Sequence, residues 1–332
     1  MPQSAPLAVR AAVFLALALP TAALANDSTA EIGVGGLTLL KSDAIAMQSE
    51  DLFLSENKVT VDYVFLNGSG ADIEALVAFP LPDVVYEPEI RIPDFLAELD
   101  FRTSVDGNPV KLDVLQVALL NGRDVTARVK AAGFPVLADW ERFEKAVEAK
   151  TPAERKALIA EGLLKNAGDE QYPYWLAGWV TRTTVTRTQV FPAGRPIRVS
   201  HAYKPLAGGS VGSILKPSLR KDSSLAADVA AYRAKFCIDD AFVKGFDSTQ
   251  GKDAEALRPD VWIGYVLTSG ANWKGSIGRF RMVVDKGDAK NLVSFCADGV
   301  KKTGPTRFEV THENFTPKAD VNILLVKPPM VN

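Results

Sequence analysis

The chain has 332 residues, 47% of them hydrophobic, which is enough apolar side chain for a packed core and excludes a disordered polymer. Lys and Arg number 38 against 40 Asp and Glu, for a formal net charge of −2. With no basic block, that balance lacks the electrostatic footprint of a nucleic-acid binder and gives no support to a charged hold on a membrane surface.

The first 25 residues read as an export signal. Arg10 makes a weakly positive start, AAVFLALAL is an apolar run of the right length, and Ala23-Leu24-Ala25 is a small-x-small cleavage site. The mature chain is therefore expected to begin at Asn26 and to be periplasmic or secreted. The alternative, a first buried helix, fits less well, since the run is too short to span a bilayer and polar NDSTAE follows. No later apolar stretch is long enough to cross a membrane.

Short apolar runs follow: LTLL (37–40), AIAM (44–47) and DLFL (51–54), separated by polar breaks and read as separate strands. Val59, Val61, Tyr63 and Phe65 then alternate with polar neighbours, the period of a half-buried strand. NGSG (67–70) predicts a turn, and 73–79 the returning strand, which must end or lie on an edge at Pro80 and Pro82. Asp106-Gly107 between two extended runs predicts a second hairpin.

The middle changes period. Trp140, Phe143 and Val147 are spaced for one helical face, and Thr151-Pro152-Ala153-Glu154 is a capping box with proline at the first helical position. A helical insertion is expected at about 125–167. Strands resume at 180–190, a threonine-rich run read as having a wet face, and again where Ile197, Val199, His201 and Tyr203 alternate. LAGGSVGS (206–213) reads as a linker. Beyond it, Leu225, Val229, Tyr232 and Phe236 form one helix stripe ending at Cys237, and five strand-like runs close the chain. The expected fold is mainly β with helical insertions, an antiparallel β-sandwich-like architecture in two parts. The parts are 26–205, with the insertion, and 206–332, with one helix.

Four of these stretches together resemble a known family: NDSTAEIGVGGLTLLKSDAIAMQSEDLFLS, LVAFPLPD, VFPAGRPIRVSHAYKP and NLVSFCADGVKKTGPTRFEV. They are similar to the bacterial exported proteins grouped as domain of unknown function 4424. The resemblance covers essentially the whole mature chain and implies an exported β-rich fold, with no catalytic or ligand residues to carry over. The run from Tyr63 to Pro82 also loosely resembles the strand–Asn–strand–FPLP pattern of vault/inter-alpha-trypsin domains, a shared hairpin at most.

Candidate chemistry is sparse. Cys237 and Cys296, an even count in an exported chain, point to one disulfide, with two buried free thiols as the alternative. His201 and His312 are the only histidines, each on a strand face with apolar neighbours, and read as hydrogen-bonded structural residues. No G-x-S-x-G elbow, phosphate loop or dinucleotide fingerprint occurs, so no catalytic residue, cofactor or metal is assigned. DKGD (285–288) reads as a turn rather than a calcium loop. The remaining feature is aromatic. YPYWLAGW brings Tyr172, Tyr174, Trp175 and Trp179 together, and Trp273 lies in TSGANWKG. If exposed, Tyr174, Trp175, Trp179 and Trp273 make a binding surface; if buried, they fasten the insertion to the sheet. The expected role is non-enzymatic binding to an envelope protein or glycan. The alternative is a hydrolase using two carboxylates on an envelope glycan.

Overall fold

The computed structural model describes residues 28–330 apart from 34–35, 87–98, 138, 170, 206 and 252. The expected export signal lies outside the described residues. The chain is mainly β, with multiple antiparallel sheets and a few helices. Among the described residues, no helix is long and apolar enough to cross a membrane.

The largest sheet has eight strands. In spatial order they are Lys301–Lys302, Arg307–Phe315, Ile277–Asp285, Ile45–Ser55, Val59–Asn67, Pro196–Tyr203, Arg102–Val105 and Asn108–Pro109. Neighbours are antiparallel except Ile277–Asp285, which lies parallel to Ile45–Ser55. Two stretches far apart in sequence thus complete one sheet. Alternation sends Val59, Val61, Tyr63 and Phe65 to one face, where all are buried. A seven-stranded sheet centred on Val180–Phe191 and a four-stranded sheet containing Asp260–Tyr265 and Val321–Val326 complete the β framework. Val77, Phe79, Val185 and Phe191 from the first, and Ile263, Tyr265, Ile323 and Leu325 from the second, share one core with the eight-stranded sheet.

Two smaller cores lie outside it. Leu324 and Val326 alternate away from Ile323 and Leu325 and meet Phe236 and Phe246 of helices Ala226–Phe236 and Asp240–Ser248, with Ile238 of the link between them. The insertion forms helices Thr126–Ala131, Trp140–Glu148 and Pro152–Ala160. They bury Val129, Phe143, Val147 and Leu158 against Ala118 and Trp179. The capping box at Thr151 and Glu154 forms as expected. Trp140, in the first turn of its helix, points away from the Phe143–Val147 face and is exposed.

Four local expectations change. AIAM and DLFL belong to one strand, Ile45–Ser55, whose register shifts between Met47 and Ser49, so a bulge absorbs the polar break. NGSG closes no hairpin. Val59–Asn67 pairs within the eight-stranded sheet and Ile73–Pro80 within the seven-stranded one, so the turn is a crossover between sheets. Asn67 is why it holds. Buried at 1% exposure, it donates to the carbonyls of Ala71 and Phe191, each at 2.8 Å, and accepts from the Ser69 amide at 2.9 Å.

The threonine run is not wet. Thr181, Thr183, Thr184 and Thr186 are buried because Val180–Phe191 is a central strand. Two of their hydroxyls find partners on neighbouring segments: Thr181 donates to the Val136 carbonyl at 2.7 Å, and Thr183 accepts from Gln116 at 3.1 Å. Within the expected linker, Gly208–Ser210 is a strand paired with Asp260–Tyr265. A Cβ on Gly209 would stand 2.5 Å from the Asp260 carbonyl oxygen, so the approach requires glycine. The Asp106-Gly107 hairpin forms, with φ of 48° and 83° and Val105 opposite Asn108.

Candidate binding cleft

The alternation that buries Val61, Val199 and Thr103 turns their neighbours outward. Asp62 faces Ser200 across one strand pair, and Ser200 faces Ser104 across the next. Beyond Arg102–Val105, the hairpin returns through Pro109 and Val110, the Val110 amide donating to the Thr103 carbonyl at 3.1 Å. These elements border a cavity of about 490 Å³. Phe101, Pro109, Val110 and Leu112 give it apolar walls, while Asp62, Ser200 and Arg102 contribute polar edges.

Its reactive-looking groups are already engaged. The Ser200 hydroxyl donates to Asp62 Oδ1. Arg102 holds Asp100 through two contacts at 2.9 and 2.5 Å. His201 is 2% exposed, with Nδ1 2.7 Å from the Thr103 hydroxyl. Its ring lies among Phe79, Phe101 and Tyr63, with centroids 5.1, 5.3 and 5.8 Å away. Ser200 and His201 are consecutive in an extended strand, so their side chains leave on opposite faces and cannot form a nucleophile–base pair.

Behind the cleft the core is polar at one point. The Tyr63 and Tyr265 hydroxyls lie 3.1 Å apart, and Tyr265 donates to Glu50 at 3.3 Å. Glu50 is 1% exposed. Burial, then the nearby Tyr63 and Glu50, hold the Tyr265 phenol well above its ordinary range, so it stays a donor.

The aromatic residues do not converge. Trp273 is 1% exposed in the main core, its ring 4.5 Å from Phe65 and 5.8 Å from Phe191. Trp179 is buried in the core of the insertion and donates from Nε1 to the Val136 carbonyl at 2.9 Å. Neither can be a binding face, which corrects that expectation for both. Trp175 is half-buried against the same core, with Arg155 over its ring at 5.9 Å. Tyr174 and Tyr172 are exposed on the tip that joins Leu164–Asn166 to Trp175–Ala177. His312 stacks on Phe315 at 5.1 Å.

A family model described as Domain of unknown function (DUF4424) matches residues 25–324. The chain belongs to this family. No curated protein matches it. Among solved structures, the DUF4424 chain is similar to one from Legionella pneumophila described as a "putative nutrient binding protein". The two share 14% identity with a TM-score of 0.40, over 92% of this chain and 72% of that one. It is also similar to the M1 zinc metallopeptidase of Deinococcus radiodurans, at 10% identity and a TM-score of 0.29, over 86% of this chain but 43% of that one. Likenesses this distant carry no argument about ligand or activity.

Elsewhere in the DUF4424 chain, Cys237 and Cys296 form a disulfide with Cα atoms 5.1 Å apart. Cys237 ends helix Ala226–Phe236 in the left-handed conformation, and Ser294 donates to the Phe236 carbonyl at 2.8 Å, so the helix end is fixed to strand Leu292–Phe295. The DKGD carboxylates cap their own turn, Asp285 accepting from the Gly287 amide and Asp288 from the Lys290 amide. Among the described residues, no group of three or more His, Cys, Asp and Glu side chains is placed to hold a metal. Asp260 is 2% exposed, and burial pushes its carboxyl up to about 6 against the opposing pull of hydrogen bonds from Tyr232 and Ser213 and the charge of Arg258. Tyr232 donates to it at 2.6 Å.

Sequence reading singled out none of Asp62, Phe101, Arg102, Thr103 or Ser200. The usable signal was the polar half of each alternating strand, which marks the outward row but not which strands become neighbours.

Proposed function

We propose that the chain is an exported, non-enzymatic binding protein of the bacterial cell envelope, with the cleft beside Asp62, Ser200 and Phe101 as its seat for an envelope protein or glycan. The observation that carries this reading is a concave cavity of about 490 Å³ that sets apolar Phe101, Pro109, Val110 and Leu112 beside polar Thr60, Asp62, Ser104 and Ser200, a mixture that can hold a ligand by both kinds of contact. Its serine and histidine are separated by strand alternation, which favours holding a ligand over transforming one. The export signal expected over the first 25 residues and the disulfide support the compartment.

The hydrolase alternative would look to Asp51 and Asp62, which stand opposite each other on neighbouring strands. Asp51 is held by Arg281 at 3.0 Å and Asp62 accepts from Ser200, on the outward face of the sheet. Neither is set aside for a water or a glycosidic oxygen, so this reading is the weaker.

The test is capture of envelope proteins and cell-wall glycan by the immobilised mature chain and by Ala202→Trp. Ala202 lines the cleft, so the indole fills it. The variant is expected to lose the partner that the parent retains. Equal capture by both would remove the cleft from the proposal.

A further inference from the structure

Strand register lays two outward rows across the floor of the cleft. In one, Asp62 stands opposite Ser200 and Ser200 opposite Ser104. In the next, Thr60 stands opposite Ala202 and Ala202 opposite Arg102. Neighbouring strands run about 4.8 Å apart, so Asp62 and Ser104 lie about 10 Å apart across their row. Ala202 puts only a methyl group between Thr60 and Arg102, which leaves a hollow in the second row. Solvent reaches both rows, since Asp62 and Arg102 are exposed and Thr60, Ser104 and Ser200 half-buried. All of them line the cavity of about 490 Å³.

Several of these groups are left open by the fold. The Ser200 hydroxyl donates to Asp62 Oδ1, so Asp62 Oδ2 has no partner among the described residues. The Thr60 and Ser104 hydroxyls have none among them either. Arg102 is committed to Asp100 at 2.9 and 2.5 Å, and no described Lys or Arg forms an ion pair with Asp62. The open set is therefore one carboxylate acceptor with hydroxyls that both donate and accept. The backbone adds nothing to it. Val59–Asn67, Pro196–Tyr203 and Arg102–Val105 hydrogen-bond to one another, so the floor offers no ladder edge to an extended peptide. Beside the floor, Phe101 is half-buried, with the rings of Tyr203 and Phe79 each 5.1 Å from its own, and it lines the cavity with Val110 and Leu112.

Resting on the reading of the cleft as the seat of a partner, we propose that its ligand is an uncharged saccharide, one or two rings of a glycan. A sugar ring carries hydroxyls that donate and accept around its rim, and C–H groups across its faces. The rim matches Asp62 Oδ2 and the hydroxyls of Thr60 and Ser104, while the C–H groups suit Phe101, Val110 and Leu112. A sugar hydroxyl donating to Asp62 makes a charge-assisted bond, the strongest contact in the set. The same carboxylate excludes an acidic sugar, because like charges would meet there with no cation to offset them.

The test is calorimetric titration of the full chain with cellobiose, lactose and N,N′-diacetylchitobiose, and with digalacturonic acid as the anionic counterpart. Saturable binding of at least one neutral disaccharide is expected, with none of digalacturonic acid. Asp62→Ala should weaken binding about tenfold or more, the loss of one charge-assisted contact. Ser104→Ala should weaken it severalfold, and Ala202→Trp should abolish it. Asp62→Ala and Ser104→Ala should melt with the parent, because both side chains leave the solvent face of the sheet. Absence of saturable binding of all three neutral sugars at about 10 mM, beyond the weak end of small-ligand affinity, overturns the proposal. Binding unchanged by Asp62→Ala and Ala202→Trp overturns it as well, as does tighter binding of digalacturonic acid. The two readings fail separately. If Ala202→Trp loses an envelope protein that the parent captures while no sugar binds, the saccharide falls and the cleft stands. If Ala202→Trp captures all that the parent does, the cleft falls and the saccharide with it.

Discussion

Replacing Trp273 by alanine tests whether the sheets share one core. The indole is 1% exposed and lies between Phe65 of the eight-stranded sheet and Phe191 of the seven-stranded one. It is delivered there by the single turn Thr268–Asn272, whose start is tied to Asp320 through the Thr268 hydroxyl at 2.7 Å. A tryptophan buries roughly 150–250 Å², and at about 25 cal/mol per Å² the transfer contribution is about 4–6 kcal/mol before any relaxation. Measured truncations of buried Phe and Trp cost about 3–5 kcal/mol, in agreement. For a chain of this size each kcal/mol lowers the melting temperature by about 2 °C, so Trp273→Ala should melt roughly 6–10 °C below the parent. The assay is a thermal melt followed by near-ultraviolet circular dichroism. Tyr172→Ala, on a side chain 71% exposed, is the control and should stay within about 0.5 kcal/mol. A Trp273→Ala protein melting within 2 °C or so of the parent would refute the shared core.

Reducing Cys237–Cys296, which closes a separation of 59 residues, should cost about 4 kcal/mol on the chain-entropy model, read as a lower midpoint in urea with reductant. Asp260 is held near 6 in the folded chain, above its ordinary 3.8. Its contribution to stability is therefore full below about pH 4 and is lost as pH rises through about 6. Asp260→Asn should gain on the parent across that window by on the order of 3 kcal/mol, read from urea melts at successive pH values. No gain would mean the carboxyl is not held up by burial. Residues 26–205 and 206–332, made separately, should each lack a cooperative melt, because the Ile277–Asp285 strand is needed to complete the sheet begun by Ile45–Ser55. A sharp transition in either half would contradict this.

What was legible in the chain was local. Alternation located the strands at 59–67 and 196–203, the capping box located a helix start, and Asp106-Gly107 located a hairpin, because each depends only on neighbouring residues. Pairing was not legible. Asn67 reads as a turn residue, yet its side chain bridges to Phe191 across a sheet boundary, a contact no local pattern encodes. The threonines of 180–191 look solvent-facing by composition and are buried by position. The cleft shares this fate, since Asp62, Arg102 and Ser200 become neighbours only through strand order. Trp179 and Trp273 misled for the opposite reason. A large aromatic suits a core and a binding face equally, and only burial separates the two.

The parallel seam between Ile45–Ser55 and Ile277–Asp285 has a consequence for biogenesis. Asp51 waits for Arg281, 230 residues later in the chain. At a synthesis rate of about 5–20 residues per second, the first strand stays unpaired on that side for roughly 10–50 s. An apolar strand with a bare edge for that long is a template for pairing with other chains. The nascent chain thus depends on whatever shields that edge until its last third emerges, and sequence changes near residue 281 should show first as lost yield, before any change in the finished protein.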